Sequence, residues 1–156
     1  MSMSRKVPNE FFATMHYGAV PEAASLEVMT SFGQALLAIV SADGLSEKER
    51  EAFAEIGRHL GVPEEAIQQV LATETAKLDL AKILNGFADG PHARRMLYDA
   101  IVVAHADRYS EAERAASARV AQLLGIDASV LRAIEGLVDA ELALRSVRAA
   151  VLGAKP

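Results

Sequence analysis

Cysteine is absent from the 156 residues, and so is tryptophan. The first absence excludes a disulfide framework, a thiol nucleophile, and zinc-thiolate or iron–sulfur sites. Phe, Trp and Tyr together make up only 5% of the chain, which argues against a sheet built on aromatic cross-strand pairs. Long apolar runs are missing too. The densest, Leu36 to Val40, falls far short of the roughly 20 residues a membrane-spanning helix needs. There is no excess of basic charge: 16 Lys and Arg face 21 Asp and Glu, a net −5. Phosphate recognition runs on basic surface, so a nucleic-acid partner is not expected. Arg5 and Lys6 lead into Pro8, Asn9 and Glu10 rather than an apolar signal core. A cytoplasmic protein without a membrane partner is therefore expected.

What the chain has is alanine, 30 in all, with 14 of them in residues 101–156. Alanine is the best helix former and lets helices approach closely. The length suits one domain. The expected fold class is all-α: a single helical domain of seven to eight helices, covering 9–152 behind a flexible leader at 1–8.

Helix signals punctuate the chain. Asn9 caps a short helix that ends at Gly18. Pro21 suits the first turn of a helix running to about Ala42. Its second half is apolar on nearly every face, the mark of a buried central helix. Ser46 and Glu49 fit a capping box, in which the hydroxyl accepts the third helical amide and the carboxylate accepts the Ser46 amide. Gly61 stops that helix and apolar Val62 follows it. Pro63, Glu64 and Glu65 open another, and Asp79 to Phe87 reads as a short one. Leu97 to Ala106 is again strongly apolar. Ser110 and Glu113 form a second capping box, Gly125 a second stop, and a last helix runs from Asp127 toward Leu152.

These signals repeat. Ala42–Val62 and Ala106–Ile126 align without gaps at an offset of 64, and ten of 21 pairs are identical. The repeat units span about 30–75 and 94–140. Two copies are too few for a solenoid, so a pseudo-symmetric bundle is expected, its two apolar helices side by side.

The first copy, Ala42-Asp43-Gly44-Leu45-Ser46-Glu47-Lys48-Glu49 with Leu60-Gly61-Val62, resembles the signature of tellurite-resistance TerB-like proteins. The same pattern occurs in the N-terminal domain of DjlA-type membrane co-chaperones. The second copy departs from it, with Arg108 where glycine is usual. The resemblance covers about residues 30–150. It implies a non-enzymatic helical domain, acidic motif residues as candidate metal ligands, and a role in stress or tellurite response.

The motif acids have two readings. Asp43 and Glu49 flank one turn, Asp107 and Glu113 the other, and pseudo-symmetry can bring the two pairs together. Clustered carboxylates repel unless one is protonated or a cation is bound. An all-oxygen set selects Ca²⁺, Mg²⁺ or Mn²⁺ as the divalent cation. In the other reading the glutamates only complete capping boxes, and the aspartates only accept turn amides. The protein is then a helical adaptor. Glu47 and Glu111 read as solvated first-turn acids. The loop is not an EF-hand.

The four histidines form no H-x₃-H or H-E-x-x-H pair, and His105 precedes Asp107 in a lone H-x-D. Arg50 and Arg114 are matched in the repeat, each placed to meet a neighbouring acid. No nucleophile–base motif or phosphate loop is present, and an enzyme would need a polar pocket around His105 and Tyr109. Residues 1–90 carry net −6 and 91–156 net +1. That polarity is either an ordinary solvated surface or a means of steering a protein partner or self-association.

Overall fold

The structure is a computed structural model that describes residues 25–86 and 92–153. The expected leader at 1–8 and the helix from Asn9 to Gly18 lie outside the described residues, as do Phe87 and the turn at Asp89-Gly90-Pro91. Among the described residues there are seven α-helices and no strand. They are α1 (Leu26–Val40), α2 (Glu47–His59), α3 (Glu64–Leu71), α4 (Leu80–Asn85), α5 (Ala93–Ala104), α6 (Glu111–Leu123) and α7 (Ala128–Leu152). A 3₁₀ turn at Thr75–Lys77 joins α3 to α4. No described helix is long and apolar enough to cross a membrane.

The bundle centres on α1 and α5, which pack on each other more extensively than any other pair. Leu36, Leu37, Ile39 and Val40 of α1 are buried, as are Met96, Leu97, Ile101 and Val103 of α5. This is the expected apolar pair. Each fully buried aliphatic side chain contributes roughly 1.5–3 kcal/mol of transfer free energy.

The helix ends follow local chemistry. Pro21 lies outside the described residues, and the helix expected to run from it to about Ala42 instead starts at Leu26 and ends at Val40, because Ser25 is extended and its hydroxyl accepts the Val28 amide. Asp79 caps α4 by accepting the Lys82 amide at 3.1 Å. Asp127 caps α7, and its carboxyl is held below the ordinary range by bonds from Ser129. Gly61 and Gly125 take φ of +77° and +68°, which only glycine adopts without strain. The Val62 and Ile126 amides then close back onto the Gly57 and Ala121 carbonyls.

The offset of 64 recurs in helix boundaries. Val40 and Ala104, Glu47 and Glu111, His59 and Leu123, and Glu64 and Ala128 are all equivalent ends. Helix α3 stops after eight residues, whereas its counterpart α7 continues for 25. Between α1, α2 and α3 lies an apolar crevice of about 30 Å³ lined by Phe32, Phe53 and Ile67. Gly33 and Gly57 let the helices close around it. A Cβ at Gly57 would stand 2.9 Å from Ile67 Cδ1.

Candidate functional site

The two Asp turns, α1–α2 and α5–α6, face one hollow of about 550 Å³. Asp43, Gly44, Ser46 and Glu49 line it from the first turn; Asp107, Arg108, Ser110 and Glu111 line it from the second. Pseudo-symmetry thus brings the matched motifs together. Glu111 is an exposed first-turn acid, as expected, and it also lines the hollow.

Both capping boxes form. Glu49 Oε2 accepts the Ser46 amide at 2.8 Å, and Glu113 Oε2 accepts the Ser110 amide at 2.7 Å. The serine hydroxyls accept the Glu49 and Glu113 amides at 3.2 Å. Both glutamates are buried, and Glu113 is wholly so. Its Oε1 has no hydrogen-bond partner. Burial pushes the Glu113 carboxyl above the ordinary range against the pull of its Ser110 bonds, and the charges of Glu49 and Asp43 push the same way. Those charges act on Glu113 because the two turns are close.

The aspartates behave differently. Asp43 and Asp107 are exposed on the hollow. The expectation that they accept turn amides fails. Among the described residues neither accepts a hydrogen bond or forms an ion pair. Main-chain carbonyls take the turn amides that are bonded: Gly44 N–H donates to Ser41 O at 3.1 Å, and Ala42 and Ala106 donate to Ile39 O and Val103 O at 3.2 and 2.9 Å. Gly44 sits at φ +101°.

Three of the four acids, Asp43, Glu49 and Asp107, border the hollow, and Glu113 is buried behind it. No three His, Asp or Glu side chains among the described residues gather tightly enough to hold a metal ion directly. The donor set remains all-oxygen and its charge is incompletely neutralised, since Arg108 is the hollow's one cationic lining residue.

Behind the second turn lies a polar network that local spacing does not reveal. Tyr109 donates to Glu135 Oε1 at 2.9 Å. Arg114 lies 3.5 Å from the same oxygen and 4.3 Å from the centre of the Tyr109 ring. Burial, and then the carboxylate it faces, raises the Tyr109 hydroxyl above its ordinary value. His105 Nε2 stands 3.5 Å from Asp139 Oδ1, and its ring leans on Tyr109 at 5.3 Å. Tyr98 donates a short bond to Glu141, pinning α5 to α7. Asp99 is also fully buried in α5. The one sequence signal for these contacts was polar residues set in apolar helical faces.

No family model matches the chain, and no curated protein matches it. Among solved structures, the chain is similar to a tellurite resistance protein from Nostoc punctiforme, with a TM-score of 0.78 at 24% identity. The likeness covers 100% of this chain and 99% of that one. The fold of this chain is therefore the all-helical fold of that tellurite resistance protein.

Proposed function

We propose that this is a non-enzymatic, cytoplasmic cation-binding module whose hollow takes one divalent cation that keeps most of its water. The observation that carries the reading is the pair of aspartates, Asp43 and Asp107, exposed on one shared hollow with no structural bond to make. Magnesium-like ions bind through one or two carboxylates and retain several waters, so they need no complete protein cage. A space of about 550 Å³ admits such an ion with its shell. Asp43 and Asp107 are its ligands. Glu49 and Glu113 stand behind them, supply negative charge and keep the turns in place. Oxygen ligation selects Mg²⁺, Mn²⁺ or Ca²⁺.

Calorimetric titration of the full chain with each ion is the test. One cation per chain is expected for the wild type, with binding lost in the Asp43→Asn/Asp107→Asn variant. Absence of heat and of thermal stabilisation at millimolar ion overturns the reading.

A second reading has its own support. Both glutamates are committed to capping boxes, as a purely structural motif requires. The protein is then an adaptor, and Asp43→Asn changes nothing that depends on metal.

The tellurite-resistance description of the structural neighbour supports placing the module in tellurite or related stress response. A bacterial host expressing the chain should tolerate more tellurite than one expressing the Asp43→Asn/Asp107→Asn variant. Equal tolerance counts against that placement.

A further inference from the structure

The long helix α7 has two apolar faces. One packs on the bundle through Leu131, Ile134, Val138 and Leu142. The other carries Leu137, Leu144, Val147 and Val151, which are 50%, 54%, 58% and 76% exposed. With exposed Ala140 they fall at 137, 140, 144, 147 and 151. This alternation of three and four is the a/d spacing of a coiled-coil seam. On the same heptad, Val138, Leu142 and Ala149 occupy b and f, the side away from a seam. The outer stripe is thus a second face of the helix, distinct from its packing face.

We propose that this stripe binds a second copy of the chain, α7 against α7′ antiparallel about a two-fold axis. Charge decides both the partner and its direction. Glu141 and Arg148 occupy successive e positions, and the g positions 143 and 150 are both alanine. In a parallel pair e faces g′, so each charge meets an alanine. In an antiparallel pair e faces e′, and Glu141 meets Arg148′ twice, once on each side of the axis. In that register Leu144 packs on Val147′ and Ala140 on Val151′. Tyr98 binds only one oxygen of Glu141, Oε2, which leaves Oε1 for the partner's guanidinium. Arg148 is exposed and forms no ion pair within its own chain among the described residues. Alanines 143 and 150 let the helices approach closely. The interface is isologous and closes at two copies. The seam spans only about four turns, so it buries no more than about 1,200 Å² and the dimer is weak and concentration-dependent.

Sedimentation velocity of the full chain, from about 1 µM to on the order of 1 mM, tests the proposal. The wild type should pass from monomer to dimer over that range. Val147→Glu should abolish the dimer with helicity and melting temperature retained. Arg148→Glu sets like charges opposite each other and should weaken the dimer about tenfold or more. The cysteine-free sequence offers a check on direction. Oxidising a mixture of Leu144→Cys and Val147→Cys proteins should yield mainly the mixed dimer. A wild type that stays monomeric throughout, or a dimer that survives Val147→Glu, overturns the proposal. Cross-linking of Leu144→Cys mainly to itself overturns the antiparallel arrangement.

Discussion

His105 holds Asp139 at 3.5 Å in the place where, 64 residues earlier, Ser41 meets Thr75 at 3.0 Å. The two pairs are equivalent under the repeat. One joins two hydroxyls, and the other joins an imidazole to a carboxylate. The bundle therefore accepts either chemistry at this position. Replacing the second pair with the first, His105→Ser with Asp139→Thr, should preserve the fold and change unfolding free energy by less than about 1 kcal/mol in urea titration.

The Tyr109–Glu135 bond has no polar equivalent in the first half, where Leu45 and Leu71 stand. Tyr109→Phe should lower stability by about 1.5–3 kcal/mol, the range for hydrogen bonds to charged groups. Arg114 still faces Glu135, which places the loss toward the lower end. Chemical denaturation of the two proteins measures it.

Glu113 gives the stability a pH dependence. Its folded pKa is raised, so the fold holds its proton more tightly than the unfolded chain does. That contribution is complete below the ordinary glutamate value of about 4.3 and is lost as pH rises through the folded pKa. Glu113→Gln keeps an acceptor for the Ser110 amide and removes the titration. In metal chelator, its stability relative to wild type should rise with pH through that window. Saturating divalent cation should narrow the gap by favouring the ionised carboxylate. Thermal melts across pH, with and without metal, measure both effects.

Arg108 stands where the first copy has Gly44, and it brings positive charge to the rim of the hollow. Arg108→Gly should tighten divalent binding several-fold, because a like charge near a cation weakens it. Calorimetry at low and high salt checks this, and the gain should shrink with salt.

Two helical glycines, Gly57 in the last turn of α2 and Gly136 inside α7, should respond oppositely to alanine. At Gly57 the new methyl would lie 2.9 Å from Ile67 Cδ1 and 3.0 Å from Cγ1, and Ile67 is buried. Overpacking of about 1–3 kcal/mol should outweigh a helix-propensity gain of about 1 kcal/mol. At Gly136 no atom lies within 4 Å of the added Cβ. Gly136→Ala should stabilise by about 0.5–1 kcal/mol. Paired urea titrations decide the signs.

Much of this architecture was legible because its signals are local. A capping box needs only Ser46 and Glu49, and a helix stop only Gly61 and Val62. The repeat showed that Asp43 and Asp107 occupy equivalent turns, and so that they could share a space. Long-range chemistry left no such trace. Tyr98 meets Glu141 across 43 residues and Tyr109 meets Glu135 across 26; no periodicity in the sequence joins them. Pro21 suits a first turn, yet α1 is capped four residues on by Ser25, whose hydroxyl accepts the Val28 amide. The turn aspartates read as amide acceptors, yet the Gly44 amide donates to the Ser41 carbonyl instead. The 3₁₀ turn at Thr75–Lys77 carries no apolar period at all.

The unequal lengths of α3 and α7 have a consequence of their own. The counterpart of α3 within α7 ends at Glu135. From Gly136 onward α7 continues as one helix where the first half breaks into a 3₁₀ turn and the short α4, and the whole outward seam from Leu137 to Val151 lies in that overhang. Two matched halves alone would make an object whose ends are interchangeable. The overhang gives the domain a front and a back. The shared acidic hollow belongs to the duplicated part, while the handle for another copy belongs to what only one half possesses. Shortening the outward stripe should therefore alter how the molecule meets its neighbours while leaving the hollow between the two turns intact.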